Sequence, residues 1–333
     1  METVNKLYAA VNEKFAAAEN VLIMTHQRPD GDAMGSAFGL REFLRQANIN
    51  AEVLTPTGFP VRFGKLCTGA LTTLSAAEAD GFDLFVAVDC ANPERLGTVD
   101  TLPYEVVQKR NFVSIDHHRG NSMQAPLQIL EPEASSACQV VAQILLASGR
   151  AISGETATLL MTGLMTDTGC FCFANADAAA FETAASLMRC GAKVERIANE
   201  VFFSKPLNHL QFEAELISRH FRFAAGNRFA YAFVPEELMA KYHFEMREDE
   251  GLIDLLRKID TCVIAMLSHR RSDGFRISLR SKDGRFPVGP LARKFGGGGH
   301  DMAAGCTLDT ADFAEVEKII IPEIEALLKH SGN

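Results

Sequence analysis

The chain has 333 residues, 47% hydrophobic and 23% charged, a balance that fits one or two globular domains and excludes a disordered chain. Its formal net charge of −9 argues against a protein that coats long nucleic acid through a basic surface. Eight cysteines without a CxxC pair, a start without a secretory pattern, and the lack of any apolar run of roughly 18 residues point to reduced thiols and a cytoplasmic, non-membrane location.

Apolar residues at helical spacing (Val4, Leu7, Val11, Phe15, Ala18) predict an amphipathic first helix. Val21–Met24 is a short unbroken apolar run, the pattern of a strand buried in a parallel sheet; it ends in a polar turn, 26–32, before a helical pattern over 34–46. Leu84–Val88 repeats the pattern and ends at Asp89, and Phe112–Ile115 repeats it again and ends at Asp116-His117-His118. Helical patterns follow over 136–146, 155–165 and 177–189. Strands alternating with helices imply right-handed βαβ units, so the expected fold is α/β, a parallel sheet with helices on both faces. After Gly191 the texture changes. A helical stretch interrupted at Pro206 leads to period-two patterns at Arg228–Phe233 and Arg276–Arg280, half-exposed strands of a smaller α+β domain. The expected organisation is a first domain over 1–190, a helical linker over 191–215 and a second domain over 216–333. Charge is uneven across it: Arg257–Lys294 holds ten Lys/Arg against three Asp/Glu, a local +7 that leaves −16 for the rest.

Three predicted strands thus end in metal-ligand residue types: His26, Asp30 and Asp32 after the first, Asp89 after the second, Asp116, His117 and His118 after the third. In open α/β sheets ligands bind at those carboxyl ends. A further acid, Asp167, follows an apolar helical run. Any one such Asp is commonly a helix cap or turn former. Their recurrence at one topological position is what points to chemistry, because so many carboxylates in one crevice require cations to offset their repulsion. Mixed Asp/His ligation suits ions such as Mn²⁺, and two ions a few ångströms apart form a clamp for in-line attack at phosphorus.

With these pieces in order, the chain resembles the DHH phosphoesterase superfamily, in its DHH–DHHA1 nanoRNase/pAp-phosphatase branch. The matching segments are 25–36 (with His26, Asp30 and Asp32), Asp89, Asp116-His117-His118, 163–169 (with Asp167) and 296–305 (four glycines, then His300). The resemblance implies a DHH domain followed by a DHHA1 domain. It implies that His26 and Asp30 hold one divalent cation, that Asp32, His117 and Asp167 hold another, and that Asp89 bridges them. Mn²⁺ is the expected ion, with Mg²⁺ or Co²⁺ as alternatives. Asp116 then orients the neighbouring imidazoles, and His118 contacts the scissile phosphate. Arg28 departs from the pattern, since the family often shows uncharged residues before Pro29.

In the second domain, consecutive glycines let a backbone approach a ligand and aim N–H groups at an anion. Gly297, Gly298, Gly299, His300 and Arg280 are the expected substrate contacts there, although a glycine run can equally be a hinge and Arg280 a solvated strand residue. Arg95 and Ser135 also resemble residues lining the family's cleft; the plainer readings are a surface arginine and, for Ser135-Ser136, a helix N-cap pair. The expected activity is hydrolysis of short oligoribonucleotides or linear dinucleotides to 5′-mononucleotides, with 3′-phosphoadenosine 5′-phosphate as a second substrate and a homodimer as a possible assembly. The alternatives are a pyrophosphatase or exopolyphosphatase, and a non-catalytic nucleotide-binding protein.

Overall fold

The computed structural model describes residues 2–55, 57–58, 61–96, 102–246, 251–310 and 312–329. The chain divides into two compact units, Met1–Ser204 and Lys205–Asn333. The first is built on five parallel strands, β1 (Asn20–Met24), β2 (Asn50–Leu54), β3 (Leu84–Val88), β4 (Phe112–Asp116) and β5 (Leu127–Leu130), in the order β2-β1-β3-β4-β5. Its helices are α1 (Glu2–Ala17), α2 (Gly31–Gln46), α3 (Ala76–Ala79), α4 (Tyr104–Val107), α5 (Ala137–Ala147), α6 (Gly154–Asp167), α7 (Ala178–Arg189) and α8 (Val194–Ile197).

The sheet is buried on both faces, which is why its central strands read as unbroken apolar runs. Val21, Ile23, Val86 and Val88 enter a large core with Val11 of α1, Phe38 of α2, Ile144 of α5 and Leu160 of α6. Leu22, Met24, Phe85 and Ala87 enter a smaller core with Ala79 of α3 and Val107 of α4. Each fully buried Ile or Phe contributes about 1.5–3 kcal/mol, so the central strands are held firmly and residues at their ends inherit that precision. β2 and β5 were not legible beforehand. They flank the sheet, and their partly exposed patterns lack an apolar run.

A glycine stripe brings two helices unusually close. Gly35 and Gly39 lie one turn apart on α2. A Cβ on Gly35 would lie 2.6 Å from the Leu159 carbonyl oxygen, and one on Gly39 would lie 2.8 Å from the Leu160 side chain. On the α6 side, a Cβ on Gly163 would meet Cys138 Sγ at 2.2 Å and Asp32 Oδ1 at 2.8 Å. The two helices therefore meet almost backbone to backbone, and α6 delivers its last residue, Asp167, to the start of α2.

The second unit is a mixed sheet in the order β10-β11-β9-β8-β7-β6, with β6 (Phe221–Ala224), β7 (Phe229–Val234), β8 (Ile264–Arg271), β9 (Gly274–Ser281), β10 (Gly298–Gly299) and β11 (Ala303–Leu308). Among the described residues, β7 and β8 run parallel to each other and the other neighbours are antiparallel. Helices α9 (Leu207–His220), α10 (Glu236–Tyr242) and α11 (Leu252–Arg257) cover one face, and α12 (Gly289–Lys294) and α13 (Phe313–Lys329) cover the other. The segment 191–215, expected as a linker, divides between the units: Ile197 and Val201 lie in the first core, and Phe212 in a core of the second. Among the described residues no helix is long and apolar enough to cross a membrane.

Candidate metal centre

The strand order reverses between β1 and β3, because the chain leaves β1 for β2 on one side and returns to β3 on the other. That switch point opens a crevice at the carboxyl ends of the strands. His26 follows β1, Asp89 follows β3, and Asp116 closes β4 with His117 and His118 just beyond. Asp30 is the N-cap of α2, where its side chain accepts from the Asp32 and Ala33 amides at 3.1 Å each, and Asp32 lies in the first turn. Helix dipole and free amides favour carboxylates at that end, so the segment folds with its acids already aimed at the crevice.

Three overlapping sets of three ligand-type residues result, one of them Asp89, His117 and His118. His26, Asp30 and Asp89 present donor atoms within 4.8 Å of one another, and so do Asp32, His117 and Asp167. Asp89 reaches both of these sets, with Oδ2 3.5 Å from His26 Nε2 and Oδ1 3.7 Å from His117 Nε2. His117 Nε2 also lies 3.7 Å from Asp32 and 3.6 Å from Asp167. Both rings are oriented in the same way. His26 Nδ1 faces the Gln27 carbonyl at 2.8 Å and His117 Nδ1 faces the Ala134 carbonyl at 3.2 Å. A carbonyl only accepts, so His117 carries a proton on Nδ1; His26 Nδ1 faces both the Gln27 carbonyl and the Arg95 guanidinium, and both rings turn Nε2 to the carboxylates, the orientation metal-bound imidazole requires.

Asp89 is the most telling residue. It is 1% exposed, and neither of its carboxylate oxygens has a hydrogen-bond partner. Its backbone is also left-handed, with φ at +52°, a conformation that costs a non-glycine residue about 1 kcal/mol or more. A buried unbonded carboxylate is too costly to persist without compensation, and the surrounding nitrogen and carboxylate donors fit divalent cations.

Protonation in the metal-free protein follows from the crowding. Burial, then the like charges of Asp32 and Asp30, push the Asp89 and Asp167 carboxyls well above the ordinary range. Burial likewise raises Asp32, against the pull of His117 and the Cys138 amide. Burial lowers His117, but Asp32 and Asp89 outweigh it and hold the imidazole above its usual value. Asp30 and Asp116 go the other way: burial raises both, yet His26 and the helix amides for the first, and His118 for the second, bring them below the ordinary carboxylate value. Groups raised on folding stabilise the fold below their unfolded pKa and lose that contribution as pH rises; the lowered pair matters only below about pH 4. The EDTA-treated protein should therefore melt at a higher temperature near pH 5 than near pH 8. A thermal-shift series in which the Tm falls toward pH 5 would contradict this reading of the cluster.

The remaining expected site residues fall in different places. Asp116 Oδ1 accepts from His118 Nδ1 at 2.9 Å, and its Oδ2 accepts from Asn121 at 2.5 Å. The Nδ1–H of His118 is thus directed at Asp116, which orients the ring. Asn121 was missed from the sequence, where nothing distinguishes it from a loop asparagine. Arg95 is at the centre, its guanidinium 3.2 Å from His26 Nδ1. Ser135 is a correction: it is 1% exposed and its hydroxyl donates to Gln139 at 2.7 Å, so it belongs to the framework behind the ligands, while Ser136 is the N-cap of α5. In the second unit Arg280 occupies β9 between Ala265 and Ala303. Two glycines of the run also have a packing role. Cβ atoms on Gly297 and Gly299 would lie 2.2 and 2.5 Å from β11 carbonyl oxygens, so strand pairing demands those two glycines. A Cβ on Gly298 would meet nothing within 4 Å, and the His300 amide is already bonded to the Ala303 carbonyl.

Fold and centre together define a metal-dependent phosphoesterase. Residues 20–164 match the DHH family, N-terminal domain, and residues 226–329 match the DHHA1 domain. The chain belongs to the DHH superfamily, in the branch that joins these two domains. It is 28% identical over 325 residues to the bifunctional oligoribonuclease and PAP phosphatase NrnA of Thermus thermophilus, covering 97% of this chain and 94% of that one. Identity to the protein of the same name from Bacillus subtilis is 26%, over 93% and 95% of the two chains. Among solved structures, an exopolyphosphatase-related protein from Bacteroides fragilis shares the fold with a TM-score of 0.87 at 24% identity, covering 97% of this chain and 98% of that chain.

Proposed function

We propose that this chain is a two-metal phosphoesterase that hydrolyses short oligoribonucleotides or linear dinucleotides to 5′-mononucleotides, and that it also converts 3′-phosphoadenosine 5′-phosphate to AMP. The observation that carries the proposal is Asp89, an unbonded buried carboxylate reaching toward His26 on one side and His117 on the other. In this reading His26, Asp30 and Asp89 hold one cation, and Asp32, His117, Asp167 and Asp89 hold the second, with Mn²⁺ as the expected ion. Bound there, the cations would lower the pKa of water and offset charge developing on the phosphate. His118, with Nδ1 tied to Asp116, offers Nε2 to a phosphate oxygen, and Arg95 adds positive charge beside His26. Arg280, Gly298 and His300 are proposed to recognise the nucleotide. The names carried by the T. thermophilus and B. subtilis relatives support the substrate class.

A substrate panel with Mn²⁺ tests the proposal: pApA, a labelled RNA length series, 3′-phosphoadenosine 5′-phosphate and pyrophosphate. Turnover should be fastest on the shortest RNAs and on pApA. Hydrolysis confined to pyrophosphate, or none at all, would replace this reading with one of its alternatives. For Arg280→Ala we expect kcat/KM to fall about 10- to 100-fold on pApA, the worth of a charged hydrogen-bond pair, and to change little on an activated aryl phosphate. Equal losses on both substrates would show that Arg280 serves the fold.

A further inference from the structure

The two halves of the centre are held in different ways. Four hydrogen bonds of the network around Asp32, His117 and Asp167 converge on one five-residue segment, Ala134–Cys138, at the start of α5. The Ala134 carbonyl accepts from His117 Nδ1 at 3.2 Å. The Ala137 and Cys138 amides donate to the two oxygens of Asp32 at 2.6 and 2.8 Å. The Ser135 carbonyl accepts from Asn175 Nδ2 at 3.1 Å, and the same Nδ2 donates to the Asp167 carbonyl at 3.1 Å. The segment is itself pinned by one side chain: Gln139 Oε1 accepts from both the amide and the hydroxyl of Ser135, at 2.8 and 2.7 Å. Gln139 is 3% exposed. His26, Asp30 and Asp89 make no hydrogen bond to this segment among the described residues; His26 is held by Gln27, Asp30 by its own helix, and Asp89 by nothing.

We propose that Gln139 is a positioning residue for the Asp32/His117/Asp167 set alone, acting through the backbone of Ala134–Cys138, with Asn175 as a second anchor of the same segment. Metal ligands depend on the groups behind them, and altering such a partner typically costs 10- to 100-fold in affinity. One oxygen of Gln139 fixes a segment that orients all three ligands, so its loss weakens one cation and leaves its neighbour. The inference rests on the reading that both sets hold cations.

The test is an equilibrium Mn²⁺ titration of the full chain, reading free ion by electron paramagnetic resonance, with melting temperature in EDTA as a second readout. Gln139→Met keeps size and removes the acceptor. It should raise the dissociation constant of one of two ions by roughly 10- to 100-fold and change the other by less than about threefold. Asn175→Ala, at an exposed position where folding is safe, should weaken the same ion by a smaller factor. In an Asp167→Asn background, which disables that set, Gln139→Met should leave the remaining ion unchanged. Two unaltered ions in both single variants, with only the EDTA melting temperature lowered, would show a purely structural role and overturn the inference. So would equal weakening of both ions. Should Gln139→Met fail to fold, Asn175→Ala decides by the same criteria. A wild-type chain that takes up fewer than two ions would remove the underlying reading, and the inference with it.

Discussion

Asp89→Asn should abolish metal-dependent hydrolysis while making the metal-free protein more stable than wild type. Asparagine is nearly the same shape and tolerates the left-handed backbone that Asp89 adopts, so the substitution changes charge and little else. In the absence of metal, wild type buries a carboxylate with no partner for either oxygen, close to Asp32 and Asp30, which burial and like charge drive toward its protonated form. Removing the charge should recover about 1–2 kcal/mol, or roughly 2–8 °C in Tm for a unit of this size. The sign follows from the raised pKa: the gain is largest near pH 8, where Asp89 must give up its proton, and closes near pH 4, where Asp and Asn are both neutral. If Asp89 is shared by two cations, as proposed, its loss should cost more in turnover than the roughly 10- to 100-fold that follows from altering an outer partner. On the proposed reading, saturating Mn²⁺ should stabilise wild type, and the variant should lose most of that gain. Thermal shifts in EDTA and in Mn²⁺, with turnover on pApA, check all three points. A metal-free variant that melts below wild type near pH 8 would sink the account.

Gly163→Ala should be strongly destabilising. The added carbon would lie 2.2 Å from Cys138 Sγ and 2.8 Å from Asp32 Oδ1, with the Asp32 Cα at 2.9 Å. Cys138 and Asp32 are both buried, so neither can swing into solvent. Overpacking typically costs 1–3 kcal/mol, and the value here should reach about 3 because one contact is to the helix backbone itself. Asp32 should shift as well, weakening Mn²⁺ binding. Combining the change with Cys138→Ala removes the nearest contact and should restore most of the Tm. The Asp32 contact remains in the double variant, so metal affinity should stay low. Wild-type stability and affinity in the single variant would show that α2 and α6 have room to part.

Most of the candidate ligand residues were legible because they stand at or just beyond the ends of strands buried on both faces, and such strands announce themselves as short apolar runs with a polar stop. Val21–Met24 before His26, Leu84–Val88 before Asp89 and Phe112–Ile115 before Asp116 all formed as read. Asp167 was harder, since it closes a helix; its place after an apolar helical run marked it, and the family resemblance added its expected role. What surrounds these residues was not legible. The amides that hold Asp32 come from positions 105 and 106 residues further along the chain, and no local pattern marks a backbone N–H as a donor to a distant carboxylate. Ser135 illustrates the cost: its family position was visible, but its burial against Gln139 was not. The four glycines read as an anion cradle or a hinge, whereas two of them answer to the close approach of β11, a contact defined only once the strands pair. The stripe on α2 had a visible four-residue spacing, yet its partner, Gly163, could be assigned only when α6 lay against it.

By itself the sequence determined which residue types end the buried strands, and hence the chemistry available at the carboxyl edge of the sheet. Periodicity and strand-end polarity are local properties, and they survive in a one-dimensional reading. Only the tertiary structure decided that Asp89 has no hydrogen-bond partner, that His26 and His117 turn Nε2 toward the acids, and that one segment at the start of α5 steadies one half of the centre. Those are properties of groups far apart in the chain and close in space, set by packing that no single stretch of residues encodes.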